Sequence, residues 1–292
     1  MRYILLLLVG AVLGSGQVLG ELINRPVVNI YIVAEEDTEV RTQAIYGTVI
    51  EVVEERGDWS KIKTPDGVEG WLLTAQIAKN PAYELSDNLR PTQSLFTLIY
   101  RVTDTTPYPP LLTLPYGSKV LLTDPIDTGE RWVPMELISG EKAWIQRGDV
   151  NFTPRHKTLD EMLVFSENFL GLPYTWAGTS TYGFDCSGFV QMLFKEMGVL
   201  LPRGSRSQVA SDLLTPVERE DLQPGDLVYF GTPRINHVGL YLGDDRFIHS
   251  GVGEFPRVMI SDMNHEKYLF QTARRIKAEY LVAEIEHHHA SP

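Results

Sequence analysis

The sequence predicts an α+β protein in which two small β-rich units precede a domain that mixes helices and strands. Residues 22–152 alternate apolar and polar positions and are interrupted by many Gly, Pro, Asp and Thr residues, a pattern typical of short strands joined by turns. From about residue 155 the apolar positions recur at helical spacing, and strand-like segments return after residue 225. The 292 residues are enough for two or three domains.

The β-rich half contains an internal repeat. In each copy a Tyr-Gly pair precedes two tryptophans that lie twelve residues apart: Tyr46-Gly47 precedes Trp59 and Trp71, and Tyr116-Gly117 precedes Trp132 and Trp144. The equal spacing indicates two copies of one β module, which we place at 22–80 and 90–152. A module of about 60 residues is long enough for a small barrel.

The order of strands, tryptophans and glycine turns in each copy is similar to that of bacterial SH3-like domains. The resemblance implies two small all-β barrels that bind the cell wall or shape a substrate site. For most of the four tryptophans we expect packing within the barrels. The acidic run at 35–39 is typical of a solvated loop, and the alternative is that one of its carboxylates binds a substrate amine.

The single cysteine of the chain, Cys186, lies directly before an apolar helix. Apolar residues recur at helical spacing over 190–197, and Gly198 ends the run. At a helix start the free N–H groups and the helix dipole favour an anion, so we expect a thiol there to ionise more readily than a free cysteine. The alternative is a small buried apolar residue, the usual fate of a lone cysteine. The polar neighbours Asp185 and Ser187 favour a nucleophile.

Two histidines fall on predicted strands of the same domain. His237 begins the second of the three strands predicted after residue 225, and His249 lies in the third. Alternation along the second strand places His237 opposite the apolar face, and we expect the face with His237 to meet the cysteine helix. His237 would then accept the proton of Cys186, and His249 would hold the ring of His237 in the productive tautomer. Each histidine alone could equally be a structural, hydrogen-bonded residue.

Five short motifs in this domain resemble those of one enzyme family and occur in the same order. They are GLPYTWAG at 171–178, FDCSGFV at 184–190, LPRGS at 201–205, QPGDL at 223–227 and NHVG at 236–239. Together they are similar to the NlpC family of cell-wall cysteine peptidases. The resemblance implies a papain-like α+β domain at 155–280, a Cys-His-His triad at Cys186, His237 and His249, and no cofactor or metal.

With two SH3-like modules in front, the chain resembles the subgroup of γ-D-glutamyl-L-diamino acid endopeptidases, the dipeptidyl-peptidase VI type. The resemblance implies that it cuts L-Ala-γ-D-Glu from the diamino acid of peptidoglycan stem peptides that have a free L-Ala amine. It also implies the following substrate-binding positions: Tyr174, Trp176, Asp185, Ser187 and Ser205, with Glu39 and Tyr46 as candidates in the first module. A fixed carboxylate such as Asp185 suits an ammonium group, and the serines suit the γ-D-Glu carboxylate. We expect the N–H of Cys186, helped by Tyr174, to stabilise the oxyanion.

The first residues predict an export signal. Arg2 precedes an apolar run at 4–13 that is too short to span a bilayer, and small-residue cleavage sites follow, so we assign 1–20 to a signal peptide. We therefore expect a periplasmic or extracellular protein without stable membrane insertion, and the alternative is an uncleaved anchor. A net charge of −12 argues against a nucleic-acid partner. We expect the histidine-containing tail at 281–292 to be disordered.

Three other classes of function remain open beside an exported cysteine peptidase that acts on murein peptides. The chain could be a wall-binding protein with an inert peptidase domain. It could be an acyltransferase or esterase that uses the same three residues. It could also bind a metal, because one cysteine and two histidines form a known zinc ligand set.

Overall fold

A computed structural model describes residues 20–124 and 127–281 of this protein. The predicted export signal, apart from Gly20, and the predicted tail, apart from Leu281, lie outside these ranges. Within the described ranges, no helix combines the length and the apolar character that a membrane crossing requires.

The first all-β unit is a seven-stranded antiparallel sheet. Its strands are β1 (Glu21–Ile23), β2 (Val27–Tyr31), β3 (Val40–Ile45), β4 (Val49–Arg56), β5 (Trp59–Lys63), β6 (Glu69–Leu73) and β7 (Ile77–Ala78). They lie in the order β3-β2-β6-β5-β4-β1-β7. Alternate residues of the strands face inward, so Ile30, Ile62 and Leu72 are fully buried in one apolar core.

The second all-β unit follows a one-turn helix, α1 (Pro81–Glu84). Its strands are β8 (Leu89–Pro91), β9 (Phe96–Tyr100), β10 (Leu112–Pro115), β11 (Lys119–Leu122), β12 (Trp132–Glu136) and β13 (Lys142–Gln146), in the sheet order β10-β9-β13-β12-β11-β8. Tyr46 of the first unit and Tyr83 of α1 are buried in the core of this second unit, with their rings edge to face at 6.5 Å. The two units therefore share a core at their junction.

The two units repeat each other in the surroundings of their tryptophans. Trp59 meets the ring of Tyr31 edge to face at 5.9 Å, and Trp132 meets Tyr100 in the same way at 5.4 Å. The second tryptophan of each unit lies opposite the residue two positions after the first one, because Trp71 pairs with Lys61 and Trp144 pairs with Pro134. The equal twelve-residue spacing thus reflects one hairpin geometry used twice.

The third unit is an α+β domain, and the predicted fold class is confirmed. Its helices are α2 (Leu159–Ser166), α3 (Cys186–Glu196) and α4 (Ser205–Val209), and its strands are β14 (Thr179–Ser180), β15 (Gly183–Phe184), β16 (Leu214–Val217), β17 (Leu227–Phe230), β18 (His237–Gly243), β19 (Arg246–Gly251), β20 (Arg257–Asp262) and β21 (Phe270–Ile276). Six of these strands form an antiparallel sheet in the order β16-β21-β17-β18-β19-β20, and β14 and β15 form a separate hairpin.

Helix α3 packs its apolar side against this sheet. Phe189 and Leu193 of the helix join Val238, Leu240 and Ile248 of the central strands in the main core of the domain. The prediction that the cysteine helix meets the other face of β18, the face with His237, is wrong. An apolar helix side needs a wide apolar partner surface, and the valine–leucine face of β18 provides it.

Candidate active site

Cys186 is the first residue of α3, as the sequence predicts. The preceding residue, Asp185, has an extended backbone and caps the helix, because its carboxylate Oδ1 accepts the N–H of Gly188 at 2.6 Å. Aspartate is among the residues most favoured at this position. Cys186 is 9% exposed, so its thiol is almost completely buried.

A close backbone contact brings the segment before the cysteine against the helix. A β-carbon on Gly188 would lie 2.2 Å from the carbonyl oxygen of Gly178, a distance that only glycine permits. The backbone of Tyr174 forms a bridge with Phe184, two residues before Cys186. The motif at 171–178 is therefore held beside the thiol.

The two histidines form a direct pair across the neighbouring strands β18 and β19. Nε2 of His237 lies 2.9 Å from Nδ1 of His249, and the rings are perpendicular. His249 is fully buried, and His237 at the end of its strand is partly buried. Tyr268 stacks on the ring of His237 with the centroids 5.8 Å apart.

The thiol meets this pair at the start of β18. The backbone N–H of Val238, the residue after His237, donates a hydrogen bond to Cys186 and thereby lowers the pKa of the thiol. Since His249 occupies Nε2 of His237, Nδ1 is the ring nitrogen left for another partner. The structure thus brings together the three residues that the sequence analysis placed in a triad, although α3 covers the opposite face of β18.

Burial dominates the electrostatics of the triad. It raises the pKa of Cys186 to about 12, and the Asp185 carboxylate adds to this increase. Burial also lowers the pKa of His237 to about 4 and lowers the pKa of His249 well below its ordinary value. The expected ease of ionisation at a helix start is therefore outweighed, and the uncharged thiol and imidazole are favoured. Transfer of the proton during attack on a substrate keeps the net charge of the pair unchanged, as in general-base catalysis.

A buried arginine is the main site residue that the sequence analysis missed. Both Nη atoms of Arg203 bind the carboxylate of Asp185, at 2.9 Å and 2.6 Å, and its Nε donates to Oγ1 of Thr42 in β3 at 2.9 Å. Arg203 is 8% exposed. The sequence carried one signal for this residue, an arginine inside the LPRGS motif. An arginine is almost never buried unless it is paired, so a buried Arg203 requires an acidic partner. The cap of the cysteine helix is thus tied to the first all-β unit.

The remaining predicted positions of the peptidase domain lie around the thiol with different degrees of exposure. Tyr174 is partly buried, and burial, followed by the charges of Cys186 and Asp185, raises its pKa to about 12. Trp176 is 64% exposed and is free to contact a ligand. The Ser187 hydroxyl donates to Asp185 and accepts from Arg203, so it belongs to the ion-pair cluster. Ser205 is partly buried at the start of α4.

The two candidates in the first unit have different surroundings. Glu39 is exposed and directly precedes β3, the strand whose Thr42 reaches Arg203. Tyr46 is 2% exposed, and its hydroxyl accepts the N–H of Ile138 at 2.8 Å in the shared core of the two all-β units. The prediction that Tyr46 binds substrate is therefore corrected, because its side chain is enclosed by module packing.

Comparison with known proteins identifies the domain. A model of the NlpC/P60 family matches residues 171–276, and a bacterial SH3 domain model matches 26–77. A γ-D-glutamyl-L-lysine dipeptidyl-peptidase of Bacillus cereus is 32% identical over 257 residues, which cover 80% of this chain and 74% of that protein. The chain belongs to the NlpC/P60 family. It is a cysteine peptidase, with Cys186 as the single cysteine that can serve as the nucleophile.

Further relatives agree with this assignment to the NlpC/P60 peptidases. A protein of the same name from Bacillus subtilis is 29% identical over 227 residues, 73% of each chain. The crystal structure of an NlpC/P60 family protein from Bacillus cereus aligns with a TM-score of 0.76 at 26% identity and covers 88% of this chain and 99% of that one. Both all-β units and the peptidase domain thus lie within the region of similarity. Within residues 20–124 and 127–281, no group of three or more His, Cys, Asp or Glu side chains is arranged to hold a metal ion.

Proposed function

We propose that this NlpC/P60 peptidase hydrolyses the bond between γ-D-Glu and the diamino acid in peptidoglycan stem peptides that begin with a free L-Ala. The observation that carries the proposal is a buried thiol at a helix start beside a histidine pair joined at 2.9 Å. The names of the Bacillus relatives, matched over most of their length, support a γ-D-glutamyl-L-lysine bond as the class of substrate.

The proposed reaction proceeds through an acyl-enzyme. The Cys186 sulfur attacks the amide carbonyl as Nδ1 of His237 takes its proton, and the same proton then passes to the departing amine of the diamino acid. The backbone N–H of Cys186 and the side chain of Tyr174 are the proposed oxyanion donors. A water that gives its proton to His237 then releases the L-Ala-γ-D-Glu acyl group and frees the thiol.

Recognition of the free amine requires a carboxylate that is not already neutralised. The carboxylate of Asp185 is held by both Nη atoms of Arg203, so this pair carries little net charge. We therefore propose that Asp185 contributes a hydrogen-bond acceptor and that Glu39 supplies the unpaired negative charge. Strand β3 connects the position of Glu39 to Thr42 over three residues, about 10 Å, which a long side chain and a dipeptide can span.

Synthetic tripeptides test the proposed function. Purified protein is given L-Ala-γ-D-Glu-L-Lys with a free or an acetylated N-terminus, and the released dipeptide is quantified by mass spectrometry. We expect cleavage of the free peptide, loss of cleavage on acetylation, and no cleavage by Cys186→Ala. A parallel peptide with diaminopimelate at the third position compares the two diamino acids.

Several outcomes would contradict the proposal. Equal rates on both tripeptides would remove amine recognition, and absence of dipeptide release together with binding to intact sacculi would favour a wall-binding role. Inhibition by EDTA but not by iodoacetamide would favour a metal site. Transfer of the acyl group to an added amine in preference to water would favour an acyltransferase.

We also propose that the protein is exported. The support is the composition of residues 1–20, where one arginine precedes a short apolar run. Expression of the full chain, followed by N-terminal sequencing of the periplasmic or extracellular fraction, tests this. A mature N-terminus near residue 20 is expected, and an intact Met1 in the membrane fraction would contradict export.

A further inference from the structure

The outer nitrogen of His249 contacts a residue outside the triad. Nε2 of His249 lies 2.9 Å from Oγ of Ser261 on the edge strand β20. Because Phe247 pairs with Ser261 and His249 pairs with Met259, the side chains of Ser261 and His249 lie on the same face of the sheet. Ser261 thus follows the two histidines in a line of polar contacts that begins at the thiol.

The line of contacts constrains the ring protons. A neutral imidazole donates from one nitrogen and accepts at the other. If Nδ1 of His237 is to take the thiol proton, the ring proton must be at Nε2, where it is donated to Nδ1 of His249. His249 must then carry its own proton at Nε2, and this buried N–H needs an acceptor. A serine hydroxyl has two lone pairs and can fill that role.

We propose that Ser261 is a positioning residue of the active site. It accepts the Nε2–H of His249 and thereby fixes both rings in the tautomer that leaves Nδ1 of His237 free to take the proton of Cys186. In that step the S–H bond breaks, its electron pair stays on sulfur, and the proton forms an N–H bond at Nδ1. No bond to Ser261 forms or breaks.

A second hydroxyl near the same nitrogen defines the competing arrangement. The Tyr268 hydroxyl lies 3.4 Å from Nε2 of His249. If it donated there, His249 would donate from Nδ1, and His237 would carry its proton at Nδ1 and could not accept from the thiol. The shorter contact of Ser261 lies within the ordinary hydrogen-bond range, whereas 3.4 Å does not. Ser261 is therefore the closer hydrogen-bond partner of this nitrogen, and in the proposed arrangement its oxygen accepts the Nε2–H.

The other groups near the rings of His237 and His249 affect the charge of the rings but do not fix which nitrogen carries the proton. Lys267, in the segment before β21, disfavours a charged imidazole, and Asp185, at the start of α3, favours one. Tyr268 is a further titratable neighbour, stacked on His237 and 3.4 Å from Nε2 of His249. On the sheet itself, β17 and β19 contribute the rings of Phe230 and Phe247, which carry no charge. Of the groups named here, the Tyr268 hydroxyl lies 3.4 Å from Nε2 of His249, farther away than Oγ of Ser261 at 2.9 Å.

Alkylation of Cys186 by iodoacetamide tests the inference. The inference rests on the base assigned under the proposed function, but alkylation needs no peptide, so the two can fail separately. The thiol displaces iodide and loses its proton to His237. We expect Ser261→Ala to lower the alkylation rate at pH 7 about 10-fold. The deficit should shrink at alkaline pH, where hydroxide can remove the thiol proton. Ser261→Thr, which keeps the hydroxyl, should alkylate within about 3-fold of the wild-type rate.

A matched control separates positioning from general stability. Thr215→Val removes a hydroxyl from β16, the opposite edge of the same sheet, where Oγ1 lies 3.4 Å from the carbonyl oxygen of Arg275. We expect it to leave the rate and its pH profile unchanged. The inference is overturned if Ser261→Ala keeps the wild-type profile, if Thr215→Val reproduces the loss, or if Ser261→Thr does not restore the rate.

Nitrogen-15 NMR of the imidazoles provides a readout that does not depend on reactivity. At pH 7 we expect both His237 and His249 to be protonated at Nε2, with the signals assigned through His→Gln variants. In Ser261→Ala we expect His249 to shift towards the Nδ1-protonated form. A wild-type His249 that is protonated at Nδ1 would refute the role of Ser261 as an acceptor.

Discussion

The two all-β units repeat one hairpin geometry, but two of their contacts with the peptidase domain lie at opposite ends of the cysteine helix. The first unit contributes Thr42, which accepts from Arg203 beside the cap of α3. The second unit contributes Tyr116, whose hydroxyl donates at 2.7 Å to Oε2 of Glu196, the last residue of α3. The helix has 11 residues, so its two ends are about 15 Å apart.

This difference assigns different consequences to two similar modules. The contact of the first unit reaches Asp185 through a single side chain, and Asp185 is adjacent to the nucleophile. The contact of the second unit ends on a helix terminus that carries no catalytic group. We therefore expect changes in the first contact to alter both stability and catalysis, and changes in the second to alter stability alone.

The largest effect is expected from removal of the arginine that joins the first unit to the cap. Arg203→Met leaves the Asp185 carboxylate without its partner, and breaking a buried pair costs about 3–5 kcal/mol. Urea denaturation should report this loss, and dipeptide release should fall with it. Arg203→Lys, which keeps the charge but not the two-pronged contact, should lie between. A change below about 1 kcal/mol in Arg203→Met would contradict a structural role for this pair.

The pH dependence of stability tests the environment of His237, which lies near the first residue of α3. The folded state holds His237 with a pKa of about 4, below its ordinary value of 6.5, so the unfolded chain binds a proton first as the pH falls. Stability should be complete above pH 6.5 and decline between pH 6.5 and 4. The loss is at most about 3 kcal/mol, and the partial exposure of the ring reduces it. Denaturation midpoints of wild type and His237→Gln across this range measure it, and parallel pH curves would be the contrary result.

A smaller effect is expected when the first unit loses its side of the link. Thr42→Val preserves shape but removes the acceptor for Nε of Arg203, which costs about 1 kcal/mol. Because Arg203 also holds Asp185, we expect kcat/KM for the tripeptide to fall several-fold as well. Steady-state kinetics beside denaturation decide this, and an unchanged kcat/KM would separate the first unit from catalysis.

The smallest catalytic effect is expected at the second unit. Tyr116→Phe removes the hydroxyl bound to Glu196, at a cost of about 1 kcal/mol, while Lys157 stays 3.4 Å from the same carboxylate. We expect kcat/KM to equal that of wild type at temperatures where both are folded. A loss as large as that of Thr42→Val would abolish the distinction between the modules.

Features that depend on neighbouring residues are predictable from this sequence. The helix start at Cys186 and the strand that begins at His237 were predicted from apolar spacing, and the structure confirms both. Helix α4, which follows the LPRGS motif, ends at Val209. Its continuation is replaced by a side-chain turn, in which Oγ of Ser211 accepts the N–H of Leu213 at 3.3 Å.

Two predictions were wrong, the face of β18 that α3 covers and the role of Tyr46, and both depend on packing between distant segments. Strand alternation identifies the two faces of β18 but not the one that a helix will cover, and α3 took the face with Val238 instead of the face with His237. The resemblance to the endopeptidase subgroup offered Tyr46 of the first module as a ligand contact. Packing against the second unit took that ring instead, since a tyrosine buries a large apolar area and still satisfies its hydroxyl.

The amino-acid sequence by itself predicted the module repeat from equal spacing, and it predicted the family and its Cys-His-His set from five short motifs that resemble those of the NlpC peptidases. Only the tertiary structure decided that Arg203 joins the helix cap to Thr42, 161 residues away, and that Oγ of Ser261 contacts Nε2 of His249. It also decided the direction of the thiol pKa, since a helix start favours the anion while enclosure by distant residues disfavours it. Contacts between distant segments and their exclusion of water arise only when the chain is folded, so no local pattern encodes them.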